Sequence, residues 1–219
     1  VPAIGLLTSV EVDPLGVTRI YTAPDFRVRE RIATHAKDPG VLVRFSVEGD
    51  GDLQVQVHFR PSLNLMWPAG IGGQETSWDG KAHGFLFSEP TRQFRALVSS
   101  PQATAHTEPN NDRRGSAFDR SITLTLAPIP CAAGRCASLA FAGQSEKNED
   151  VHATTASLLR AGDTPSPADV ARFDPSHVVK ITTPDAAANR AIEWAQIALE
   201  QAWTCNARLG CAEVAGYGP

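Results

Sequence analysis

Residues 41–59 read VLVRFSVEGDGDLQVQVHF, and they constrain the fold more than any other stretch. Val41, Val43, Phe45 and Val47 alternate with Leu42, Arg44, Ser46 and Glu48. Beyond Gly49-Asp50-Gly51, Leu53, Val55, Val57 and Phe59 alternate with Gln54, Gln56 and His58. Alternation with a period of two on both sides of a Gly/Asp turn predicts a β-hairpin with one buried and one polar face. Further strand-like runs surround it at 19–23, 26–32, 84–89, 94–99, 121–128, 138–143 and 177–183. Turn residues separate them at intervals that suit a large sandwich. Pro101–Arg120 and Gly143–His152 read as loops. Ser166 and Pro167 begin a short helical turn over 166–173. The chain has 219 residues, 42% of them hydrophobic and 20% charged, which is enough for a sizeable core and is not the composition of a disordered chain.

At Thr183 the period changes. Thr183-Pro184-Asp185 offers a hydroxyl cap, then Pro, then an acid at the positive end of the helix dipole. About 20 residues of helix follow, spanning roughly 30 Å. Asn189, Glu193, Gln196 and Glu200 form a narrow polar stripe. Ala188, Ala191, Ile192, Ala195, Ala198, Leu199 and Ala202 fill an apolar arc flanked by Trp194 and Trp203. Part of that arc can lie on the sandwich, and its alanines suit close packing against a second helix. The expected fold is therefore mainly β: a large antiparallel β super-sandwich over 1–183, then a linker α-helix and Gly-rich loop over 184–219.

The four cysteines fall into two local pairs. Cys131 and Cys136 flank AAGR, and Cys205 and Cys211 flank NARLG. Two disulfides in an oxidising compartment are expected, the alternative being buried or free thiols. Zinc is disfavoured, because the spacings are wider than C-x₂₋₄-C and no His-x₃₋₅-His is present. A net charge of −4 gives no footprint for nucleic acid or anionic membrane. No apolar run approaches the roughly 20 residues of a membrane span. The sequence starts at Val1 without a signal-like stretch, so a processed or excised piece is expected.

Catalytic motifs are scarce. There is no Gly-x-Ser-x-Gly elbow, and GIGGQ (70–74) lacks the Lys and βαβ context of a phosphate loop. Acid pairs need more care, since two carboxylates suffice for glycoside hydrolysis. Asp50 and Asp52 belong to a turn, where Asp is expected for backbone reasons and a weak calcium site is the functional alternative. Glu146, Glu149 and Asp150 lie in a polar loop. Glu75 and Asp79 adjoin Trp67 and Trp78. Aromatics beside acids can make a sugar platform; equally, they can plug a sandwich or an interface. None of these pairs is assigned a catalytic role, and no cofactor or metal is implied.

Two stretches, RPSLNLMWPAGIGGQETSWD (60–79) and TPDAAANRAIEWAQIALEQAWTCNARLGCAEVAGYGP (183–219), resemble the N-terminal part of bacterial glycogen-debranching-like, amylo-α-1,6-glucosidase-type glycoside hydrolases. More broadly they resemble six-hairpin (α/α)6 enzymes, glucoamylase and trehalase relatives among them. The likeness implies a β super-sandwich and linker helix that brace a catalytic helical barrel beyond Pro219, with the catalytic acids there and none here. It implies an α-glucan or other carbohydrate as partner of the full-length enzyme, in a secreted or periplasmic setting. Tyr217, Trp67 and Trp78 are the residues it places near a substrate entrance. A free-standing carbohydrate-binding β-sandwich is the alternative, and a β-rich interaction domain without a sugar role is the third reading.

Overall fold

The computed structural model describes residues 3–35, 38–61, 63, 74–89, 93–107, 121–130, 136–144, 149–164, 179–206 and 210–213. It divides into two compact units, Val1–Pro165 and Ser166–Pro219.

The first unit is built on an eight-stranded antiparallel sheet. After a 3-10 turn at Ala3–Leu6, β1 (Leu7–Asp13), β2 (Gly16–Thr22), β3 (Phe26–Thr34) and β4 (Gly40–Gly49) form a meander. A second meander holds β7 (Glu75–Asp79), β8 (Gly84–Ser88) and β9 (Arg95–Ser99). Strand β13 (Cys136–Gly143) lies between the two, paired with β4 on one side and β9 on the other. A smaller sheet holds β10 (Ala103–Thr107), β11 (Ile122–Leu126) and β6 (Gln56–Phe59), and the short β5 (Asp52–Leu53) pairs with β12 (Ile129–Pro130). The fold is mainly β, as the alternation predicts.

The expected hairpin over 41–59 is corrected. Its two runs are strands, but they do not pair with each other: β4 joins β3 and β13, whereas β6 joins β11. The Gly49-Asp50-Gly51 turn carries the chain from the large sheet to the small one. Val43, Phe45 and Val47 then meet Ile122, Leu124 and Leu126 across the sandwich, together with Phe85 and Leu139. Period two marks which face of a strand is buried; it does not name the strand's neighbour.

The other face of the large sheet is covered by α1 (Val151–Ala161). Val151 and Leu158 pack on Leu42, Leu97, Ala140 and Ala142. This explains why Leu42 interrupts the polar set of β4: that strand is buried on both faces. The loop expected up to His152 is thus corrected at its end, where Asp150 caps the helix by accepting from the His152 backbone N–H at 2.9 Å. Buried Thr155 suits this face because its hydroxyl donates to Val151 O at 2.7 Å. Polar ties pin the helix and the turn after it: Ser157 to Asp38 at 3.0 Å, His35 with Gly162 O at 2.9 Å, and Arg44 to Asp163 at 2.6 Å. The loop expected over 101–120 is likewise corrected at 103–107, which is strand β10. The turn expected over 166–173 and Glu146 lie outside the described residues.

In the second unit, α2 spans Ala186–Ala202. Its cap is Asp185, whose carboxylate accepts from Ala187 N and Ala188 N, in place of the expected Thr183. Thr183 braces the cap from outside by accepting from Asp185 N at 3.2 Å. The strand expected at 177–183 is corrected over Val179–Thr183, which has no regular structure. That segment lies instead on the polar stripe of α2. Asn189 exchanges hydrogen bonds with the backbone of Thr183, and Gln196 donates to Val179 O at 2.7 Å. A hairpin of β14 (Trp203–Asn206) and β15 (Gly210–Glu213) follows, where a loop was expected. Cys205 and Cys211 face each other in its register and are joined by a disulfide.

The second expected disulfide is corrected at Cys136, which is a free cysteine at the start of β13. Its partner in register is Ser46. Cys131 lies outside the described residues. Among the described residues no helix is long and apolar enough to cross a membrane.

Candidate functional site

The two sheets differ in width. Strands lie about 4.8 Å apart, so eight span roughly 34 Å and three roughly 10 Å. The small sheet packs over the middle of the large one and over β7, where His106 of β10 meets Trp78. The β1 end is left open among the described residues: Val10 and Val12 of β1 are 52% and 58% exposed. An open cavity of 930 Å³ results, between the inner face of β2–β4 and the segment Leu53–His58.

Its floor is set by the alternation of β3. Phe26, Val28, Glu30 and Ile32 share one face, so a carboxylate stands in an otherwise apolar row. Glu30 Oε2 accepts a hydrogen bond from Tyr21 Oη at 2.6 Å and lies 3.5 Å from an Arg19 nitrogen. The Glu30 side chain is 14% exposed. Burial raises the Tyr21 pKa above the ordinary phenol value, and the bond to Glu30 raises it further, so the phenol stays a donor. Tyr21, Phe26 and Phe45 supply aromatic surface, and Gln54, Gln56 and His58 supply polar groups on the opposite wall. Aromatic faces beside a few placed donors and acceptors are what a polar, partly apolar ligand such as a sugar needs.

The residues singled out from the sequence fall elsewhere. Trp78 is on the inner face of the edge strand β7, stacked on His106 with ring centroids 3.8 Å apart and edge-on to Phe85 at 5.2 Å. One face of its indole is therefore covered by the sandwich itself. Trp67 and Tyr217 lie outside the described residues. Glu75 and Asp79 both belong to β7, four residues apart on the same face. At 3.3 Å per residue their backbones are about 13 Å apart. Retaining hydrolysis needs carboxyls about 5–5.5 Å apart and inverting about 6.5–9.5 Å, so these two do not form such a pair. Asp79 is occupied in the turn after β7, accepting from Lys81 N and Ala82 N at 2.9 and 3.0 Å. Among the described residues no group of three or more His, Cys, Asp or Glu gathers as a metal site. Nothing in the sequence analysis singled out Tyr21 or Glu30. The available signal was the acid on the apolar face of FRVRERI.

Asp79 also ties β7 to α1 through His152 Nε2 at 2.9 Å. That bond, with the Ala82 and Lys81 N–H groups, lowers the Asp79 pKa below the ordinary carboxylate value. Its stabilising contribution is therefore complete above the unfolded carboxylate range and disappears as pH falls through the lowered folded value. Both side chains are partly exposed, at 24% and 44%, so the contribution should stay below about 1 kcal/mol. Urea melts of wild type and Asp79→Asn should differ at about pH 6 and converge near about pH 2. A difference that persists in acid would show that the turn, and not the ionic contact, is what the substitution disturbs.

No family model and no curated protein matches the chain. Solved structures are similar to it in outline. A bacterial glucoamylase complexed with acarbose aligns over 91% of this chain and 29% of its own, at 11% identity and a TM-score of 0.45. An Escherichia coli K12 protein assigned as an aldose 1-epimerase aligns over 63% of this chain and 68% of its own, at 9% identity and a TM-score of 0.41. Heparan sulfate lyase HepC from Pedobacter heparinus aligns over 65% of this chain and 22% of its own, at 12% identity and a TM-score of 0.41. All three are carbohydrate-active enzymes, matched at low identity and in part.

Proposed function

We propose that this chain is a non-catalytic β-sandwich module of a glycoside hydrolase acting on α-glucosidic bonds, and that it holds carbohydrate in the cavity beneath Leu53–His58. The cavity carries the reading: 930 Å³ of open space with aromatic walls and a carboxylate held by a phenol at 2.6 Å. The glucosidic assignment rests on the motif resemblance of 60–79 and 183–219. In this reading the bracing partner is a helical catalytic barrel, and the Cys205–Cys211 disulfide suits a secreted or periplasmic protein. The free-standing carbohydrate-binding module remains the second reading. It is favoured by one observation, that every residue of the cavity belongs to the Val1–Pro165 unit.

Calorimetric titration of the chain with maltoheptaose tests both. Saturable binding is expected, weakened by about tenfold in Phe26→Ala through loss of a stacking ring. No reducing sugar should be released. Absence of binding would overturn the cavity assignment, and turnover by the chain alone would overturn the non-catalytic one.

A further inference from the structure

The walls of the cavity are uneven in charge. Among the described residues they include one carboxylate, Glu30, and no Lys or Arg side chain. The cation nearest the carboxylate is Arg19, which is outside the lining and touches the same oxygen, Oε2, that Tyr21 bonds. Oε1 has no hydrogen-bond partner among the described residues. Within the lining, His58 is the other titratable group apart from Tyr21, and it is bonded to Thr123 at 3.0 Å. A hydroxyl entering here can donate to Glu30. A carboxylate or sulfate would meet Glu30, and the cation beside it, Arg19, is already engaged on Oε2.

We propose that the cavity selects neutral over acidic glycans and that Glu30 determines this selection. The proposal rests on the carbohydrate reading of the same cavity. The carboxylate accepts from sugar hydroxyls through Oε1 while Tyr21 fixes its position through Oε2. Like-charge repulsion excludes uronic acids and sulfated sugars.

The test compares maltoheptaose with the same oligosaccharide oxidised at C6 to the uronic acid, titrated into wild type and Glu30→Gln. The amide removes the charge; with its oxygen toward Tyr21 it presents an N–H donor to the sugar where the carboxylate presented an acceptor. Wild type should bind the oxidised ligand at least about tenfold more weakly, and Glu30→Gln should shrink that gap to about threefold or less, whatever affinity the variant retains for the neutral ligand. Equal wild-type affinity for both ligands overturns the selection and leaves the sugar site standing. A gap that is unchanged in Glu30→Gln overturns the role of Glu30. Failure of both ligands to bind wild type overturns the carbohydrate reading and the selection with it. If the variant does not fold, salt serves on wild type: the gap should narrow between about 0.05 M and about 0.5 M NaCl, and a constant gap counts against a charge effect.

Discussion

Gly49→Ala is expected to lower the stability of the protein by about 3 kcal/mol, enough to shift its urea midpoint visibly. Gly49 has φ +138°, a conformation that residues with a Cβ rarely adopt. A Cβ there would lie 2.3 Å from Asp25 O and 2.8 Å from Phe26 Cα. Both are backbone atoms at the start of the strand with which β4 pairs, Asp25 just before it and Phe26 facing Gly49 in register. Neither can retreat without opening the end of the β3–β4 ladder, so strain and overlap add. Gly51→Ala is the control. Gly51 also has positive φ, at +84°, but nothing lies within 4 Å of its would-be Cβ. It should cost only the backbone term, about 1 kcal/mol. Equal midpoints for the two variants would show that Gly49 is not pressed against β3.

Leu158→Ala should cost about 2–5 kcal/mol and loosen α1 from the large sheet. Leu158 is fully buried, and its Cδ1 lies where the Cβ of Gly40 would be, 2.5 Å away. Gly40, Ala140 and Ala142 give the leucine its room. They are also too small to refill the space it vacates, which places the cost toward the upper end of the range. Urea unfolding gives the loss. Hydrogen exchange should locate it, with amides of α1 losing protection before those of β4 and β13. A loss below about 1 kcal/mol would mean that the helix contributes little to the outer core.

The positions of most strands were legible because a half-buried strand must alternate, as FRVRERI and SITLTLAP do, and because GFLFSE and SLAFAG are short apolar runs of strand length. Their partners were not. Val43 and Val57 carry the same signal, yet one sits in the large sheet and the other in the small one, and nothing within a few residues of the turn separates hairpin from crossover. Helix α1 escaped because Thr154 and Thr155 weaken the helical pattern. Its spacing was nevertheless present: Val151, Thr155 and Leu158 fall at i, i+4 and i+7 behind the capping Asp150. At the second helix the capping signal was read two residues early, because Thr183 and Asp185 are both good caps and the geometry uses one for the helix and the other for its brace. The site was harder still. Glu30 is visible as an acid among apolar residues, but the cavity above it exists because the sheets differ in width, which no local pattern encodes. The aromatic cue at Trp78 pointed instead to a ring that helps close the sandwich.

The central place of β13 has a consequence for how the chain reaches this state. Residues 7–49 and 75–99 can each zip up from neighbouring strands as soon as they are made. The two ribbons have no direct pairing with each other, and the strand that joins them arrives only at residues 136–143. Until then β4 and β9 each present a bare edge, the feature that promotes pairing with foreign chains. Joining them also requires closing a loop of nearly ninety residues between β4 and β13, so folding should fall in the millisecond-to-second range of proteins dominated by distant contacts. During synthesis the interval between Ser99 and Gly143 is therefore when this protein is most exposed to aggregation.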